Sequence, residues 1–179
     1  MFRCATRTLV ATLCLAGMLL GAEHGVWLDV PFVKQEKNGC GAATIAMVMQ
    51  YWQRQQGQAP SSTAEAGQIQ RTLYSRKAHG IYASDLQQYL SEHGFRVFAF
   101  HGEWNDLNEN VGKGRPLIVA LKSGRSDLHY VVVTGVESEQ VLTNDPAQRK
   151  LLKQNRSEFE KEWSAADNWT LLAVPQPGS

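Results

Sequence analysis

The chain has 179 residues, 43% of them hydrophobic and 20% charged, with a formal net charge of +1. That length encloses one hydrophobic core and leaves little room for a second domain. No basic run marks a nucleic-acid footprint, and zinc-finger spacing, a Walker loop and a dinucleotide fingerprint are all missing.

The first 22 residues stand apart. Arg3 and Arg7 give a positive start, and Thr8 to Gly21 is an uncharged, mostly apolar run of 14 residues. Small residues, Gly21 and Ala22, then precede Glu23. This is the layout of a secretory signal peptide with cleavage after Ala22, and the run is short for a membrane span of about 20 residues. An uncleaved N-terminal anchor is the alternative, and it is the one way the sequence suggests a membrane contact. Either reading implies an exported protein, periplasmic or secreted, whose working domain is residues 23–179. Loss of Arg3 and Arg7 from the 18 basic residues leaves 16 against 17 acidic ones. Loss of Cys4 and Cys14 leaves Cys40 alone, so no intramolecular disulfide can form. A single thiol in an oxidising compartment is open to mixed disulfides and oxidation. Its presence suggests a use, with a buried inert Cys as the plain alternative.

Val26 to Val33 reads as an extended lead-in that Pro31 keeps out of helix. Cys40 to Gln53 is apolar nearly all round, which predicts a central buried helix. Gly39 and Gly41 flank the Cys and permit close approach of another group. After the polar loop Gln53 to Ser61, Ser62 with Glu65 reads as a capping box opening a helix to about Tyr74. Ser84 with Gln87 reads as a second one, opening a helix that Gly94 stops. Phe95 to Phe100 alternates like a strand, and Trp104 to Val111 predicts a short helix ending at Gly112 and Gly114.

The second half is strand-rich. Pro116 to Leu121 and His129 to Val136 are short apolar runs, the latter rich in β-branched residues. Glu137 to Glu139 is a polar turn, and Gln140 to Thr143 pairs back as a hairpin. Ser157 to Trp163 predicts a last short helix and Trp169 to Val174 a final strand. Helices first and sequential strands later imply an α+β fold with an antiparallel sheet.

A thiol is a nucleophile only as thiolate, and two devices lower its pKa: a helix N-terminus and a neighbouring imidazolium. Cys40 has the first by position. Of the five His, His24 lies beside the cleavage site and His93 at a helix C-terminus. His79 and His101 stand in loops or at a strand end without a suggestive acidic partner. His129 opens an apolar strand after the polar loop Lys122 to Leu128, where a site can be built. From spacing alone, a capping or solvent-facing role for it is at least as strong a reading. A Cys–His pair needs a third group to orient the imidazole. The hairpin folds Asn144 and Asp145 back toward His129, so Asp145 can accept from the distal ring nitrogen, although Asp-Pro is also a common turn opener. Gln35 can donate a side-chain amide to an oxyanion hole beside the Cys40 N–H, or be a polar loop residue.

The stretches "VPFVKQEKNGCGAATIAMVMQYW" and "LHYVVVTGVESEQVLTNDPA" together resemble the bacteriocin-processing, double-glycine-leader cysteine peptidases, family thirty-nine of that class. "AHGIYASDLQQYLSEHGFRVFAF" is similar to the family's loop–helix–Gly–strand segment and "FEKEW" to its closing Phe…Trp. The resemblance spans Val30 to Val174. It implies a papain-like fold, with Cys40 as nucleophile, His129 as general base, Asp145 orienting the imidazole and Gln35 lining the oxyanion hole. It implies a peptide or protein substrate and no metal or cofactor. The best-known members are N-terminal domains of ABC exporters, whereas this chain carries an export signal and resembles free-standing members. Amide hydrolysis or acyl transfer on cell-wall peptides, and a non-catalytic peptide-binding module on the same scaffold, are the competing expectations.

Overall fold

The computed structural model describes residues 25–122 and 128–177. The signal-like segment, His24 and most of the polar loop before His129 lie outside the described residues.

The fold is α+β. A short β1 (Val26–Trp27) leads to α1 (Cys40–Gln55), a 3-10 turn (Ser62–Ala64), α2 (Ala66–Leu73) and α3 (Ala83–Glu92). There follow β2 (Phe95–His101), α4 (Trp104–Gly112), β3 (Leu117–Leu121), β4 (His129–Val136), β5 (Gln140–Asn144), β6 (Leu152–Asn155), α5 (Arg156–Ser164) and β7 (Trp169–Pro175). The seven strands form one sheet in the order β2-β7-β3-β4-β5-β6, with β1 added to β4, and every pairing is antiparallel.

Ten residues of α1, Gly41 to Met49 and Tyr51, are buried. Ala42, Ala43 and Ala46 let neighbouring elements come close, while Ile45, Met47 and Val48 are fully enclosed. Each such large side chain contributes about 1.5–3 kcal/mol relative to exposure. The helix ends at the Gln56 cap, and Gly57 takes the left-handed conformation (φ 71°) that glycine adopts without strain. All five residues of β3 are buried, as are Tyr130 to Val136 of β4. Consecutive buried residues on a strand point to opposite faces, so both faces of the sheet centre are covered. Helices α1, α4 and α5 pack there.

The hairpin expected from the sequence is β4–β5, closed by Glu137 N–H to Gln140 O at 2.8 Å. It carries a register shift between Val133 and Gly135. A side chain at Gly135 would put a Cβ 3.1 Å from Trp27 Cβ, so glycine there admits β1.

Neither expected capping box forms. Ser62 lies inside the 3-10 turn, and Glu65 takes the N-cap position of α2 without a side-chain bond. The preceding residue, Ser61, is instead held by Gln53 (Nε2 to Oγ 2.8 Å). Helix α3 starts at Ala83 with Tyr82 as cap, so Ser84 is already helical and its hydroxyl donates to Asp85. The capping box that does form is at α4, where the Glu103 N–H donates to Asp106 Oδ2 at 2.8 Å. Strand β6 was not foreseen: its LKQN sequence alternates half-buried and exposed at the sheet edge.

Candidate active site

The segment before α1 is pinned at two points. The Asn144 amide, fully buried, donates to Val30 O (3.1 Å) and Pro31 O (3.4 Å), and its Oδ1 accepts the Leu151 N–H (3.0 Å). The Gln35 N–H donates to Pro146 O at 2.9 Å, joining the Gln35 loop to the loop that carries Asp145. The chain then turns: Gly39 N–H reaches Glu36 O at 3.0 Å, with Asn38 left-handed at φ 56°. Asn is among the few residues that visit this conformation readily. A Cβ on Gly39 would lie 3.0 Å from Glu36 O, and one on Gly41 3.1 Å from Ile81 Cβ. The two glycines thus let the helix start sit tightly between the turn and the residue preceding Tyr82. Cys40, first residue of α1, is half-buried between them. Its N–H belongs to the first turn, where backbone donors lack intrahelical acceptors.

His129 is the first residue of β4, and Asp145 follows the last residue of β5. The hairpin register brings them together: His129 Nε2 lies 2.8 Å from Asp145 Oδ1. The His129 side chain is 30% exposed and that of Asp145 only 5%. Asp145 also accepts the Ala147 N–H (2.8 Å) and Gln148 Nε2–H (2.7 Å). With Nε2 committed to the carboxylate, Nδ1 is the nitrogen left for the Cys40 thiol, which is close enough to couple to the imidazole electrostatically.

The electrostatics of the three groups reinforce one another. Burial alone would push the Cys40 thiol up; the His129 hydrogen bond, a backbone hydrogen bond at Tyr130, the imidazolium charge and the Gly41 backbone together bring it below its ordinary value. Burial alone would lower His129; hydrogen bonds to Asp145 and Cys40, and their charges, raise it to about 9. Burial alone would raise Asp145; His129, the Ala147 N–H and Gln148 hold it below the ordinary carboxylate value. The combination shifts the balance toward a thiolate–imidazolium pair beside an ionised carboxylate. Tyr130 is pushed up to about 12 by burial and by the charge at Cys40.

The structure therefore brings Cys40, His129 and Asp145 into one chain of contacts and ties Gln35 to the same loop pair. The Gln35 side-chain oxygen is buried without a partner among the described residues. The other described histidines are elsewhere. His93 bonds Tyr89 O and stacks on its ring at 4.0 Å. His101, for which the sequence suggested no acidic partner, pairs with Asp167 at 3.3 Å on an open surface. Sequence reasoning missed Asn144 and Ile81, whose supporting contacts join segments far apart in the chain, and Gln148, which reaches back three residues to Asp145. A hollow of about 510 Å³ bounded by Tyr89 and His93, between α2 and α3, takes no part in this arrangement. Among the described residues no group of three or more His, Cys, Asp or Glu is placed to hold a metal.

Residues 27–170 match the model of the Peptidase_C39 like family. Three solved structures share the architecture. One, described as a C39-like peptidase from Bacillus anthracis, superposes with a TM-score of 0.69 at 17% identity, over 86% of this chain and 99% of that one. The peptidase domain of Streptococcus ComA, a bifunctional ABC transporter of a quorum-sensing pathway, gives 0.64 at 22% identity, over 81% and 98%. A double glycine motif protease from an AMS/PCAT transporter, in complex with the leader peptide, gives 0.63 at 23% identity, over 84% and 94%. No curated protein matches the sequence.

Proposed function

The chain belongs to the Peptidase_C39 like family, and from that premise we propose that it is a cysteine peptidase acting through Cys40, His129 and Asp145. The observation that carries this reading is the position of the His129 imidazole, 2.8 Å from Asp145 on one side and near enough to the Cys40 thiol for their charges to couple.

Each group then has a task. Nδ1 of His129 takes the thiol proton, and the thiolate attacks a peptide carbonyl carbon. The new oxyanion accepts from the Cys40 N–H and from the Gln35 amide, donors set beforehand where charge develops. The tetrahedral adduct collapses as the imidazolium gives its proton to the leaving amine, leaving a thioester on Cys40. Water, deprotonated by the same imidazole, attacks the thioester, releases the carboxylate product and restores the thiol. Asp145 holds Nε2–H throughout, which keeps Nδ1 free for the proton and stabilises the imidazolium. The PCAT neighbour, held in complex with a leader peptide, supports a peptide substrate. The charge and hydropathy layout of the first 22 residues supports action after export.

The test is hydrolysis of a mixed peptide library, followed by mass analysis of products. The wild-type protein cleaves, and Cys40→Ala, folded to the same far-ultraviolet spectrum, does not. Turnover retained in Cys40→Ala removes the proposal.

A further inference from the structure

The turn that leads into Cys40 also lines a groove of about 720 Å³. One wall is the turn before α1, with Lys37 and Asn38. A second is the end of α2 and the residue after it, with Arg71 and Tyr74. The third is the turn closed by the Ser75–Gly80 bridge, with Arg76. The walls meet at Asn38, whose carbonyl accepts from Gln70 Nε2 (3.4 Å) and whose amide reaches the Tyr74 hydroxyl (3.5 Å). Asn38 is two residues before Cys40, so its Cα lies within about 7 Å of the Cys40 Cα. That is the reach of two or three residues of an extended peptide.

The groove is cationic in a chain of net charge +1. Lys37, Arg71 and Arg76 are exposed, and none of them is in an ion pair among the described residues. Glu36 is the one carboxylate in the lining. Arg71 spends one donor on the Gln68 side chain, which leaves others of its guanidinium fork open. Unpaired guanidinium groups at the mouth of a concave site match a carboxylate in both charge and shape.

We propose that this groove is a specificity subsite for an acidic side chain of the peptide, within three residues of the cleaved bond. The inference rests on the cysteine-peptidase reading and names its substrate class: peptides carrying Asp or Glu beside the scissile position.

The test uses peptide pairs that differ only by Glu or Gln at each of three positions on either side of the cleaved bond. Binding to Cys40→Ala is read by fluorescence anisotropy, and kcat/KM is read on the wild type. At one position the Glu peptide binds about tenfold more tightly than its Gln twin, and the ratio shrinks as salt rises. In Arg71→Gln/Arg76→Gln the ratio falls to near one, while in Arg96→Gln, on the remote edge strand, it persists. Equal binding of all Glu and Gln twins overturns the inference, as does a preference that survives in the Arg71/Arg76 variant. Acid-selective binding with no cleavage by the wild type would instead overturn the peptidase reading, and leave the groove as the anion site of a binding module.

Discussion

Asp145→Asn removes a charge from the site while keeping its shape. The amide oxygen can still accept from His129 and from the Ala147 N–H, and Gln148 can turn its own amide to meet the new NH2. What is lost is the negative charge. His129 stands at about 9 against an ordinary 6.5, a preference for imidazolium of about 3 kcal/mol. Asp145 acts on it more strongly than Cys40 does, so removing the charge costs about 1.5–2 kcal/mol. The thiolate–imidazolium equilibrium constant then falls roughly 10- to 30-fold. The assay is the rate of Cys40 alkylation by iodoacetamide against pH, with peptide mapping to assign the site. Wild type alkylates along an acid limb that lies below the ordinary thiol pKa, and Asp145→Asn shifts that limb upward. On the acid limb the variant reacts roughly tenfold or more slowly. Superimposable limbs in two folded proteins would refute the reasoning.

Gln35→Ala should lower kcat about 10²- to 10³-fold with a much smaller change in KM, since its amide meets charge that exists only in the transition state; stopped-assay kinetics on any cleaved peptide check this. Gly41→Ala pushes a methyl to 3.1 Å from Ile81 Cβ and should cost about 1–3 kcal/mol in urea unfolding. Asn144→Leu leaves the Val30 and Pro31 carbonyls and the Leu151 N–H without their partner; the unfolding free energy should drop by about 2–4 kcal/mol, and Cys40 alkylation should slow with it. Stability should also follow pH through the site. The His129 contribution is complete below pH 6.5 and is lost as pH climbs through about 9. The Cys40 contribution is present above its ordinary 9.0 and lost as pH falls through its lowered folded value. That of Asp145 is present above 3.8 and lost as pH falls through its own lowered value. Urea midpoints should fall toward acid pH, whereas on the alkaline side the Cys40 gain opposes the His129 loss and flattens the curve; in Cys40→Ala, which lacks that gain, the alkaline decline should appear.

The parts of this molecule that could be read in advance are those where local pattern and burial agree. Helix α1 is apolar nearly all round from Ala42 to Met49, a pattern that suits a buried helix. The β4–β5 hairpin follows from β-branched runs around a polar turn, and its register alone places Asp145 near His129. Strand β6 is different: LKQN has no apolar face, and edge pairing through the backbone is what makes it a strand. The two expected capping boxes have the right spacing, but a cap also needs an extended backbone at the first residue. Ser62 and Ser84 are already inside helical turns. Asn144 could not be read as a strut because its acceptors lie 113 and 114 residues away in the chain. The basic groove was invisible for the same reason: Lys37, Arg71 and Arg76 converge only when α2 folds back on the turn before Cys40.

The most direct test is to catch the thioester. The wild-type protein is mixed with a peptide it cleaves, quenched in acid within the first turnovers, and weighed intact. A mass increase equal to the acyl half of the peptide, mapped to Cys40 and absent in Cys40→Ala, is the predicted result. Turnover with no acyl adduct on Cys40 under conditions that trap thioesters elsewhere, or an adduct on another residue, would contradict the account.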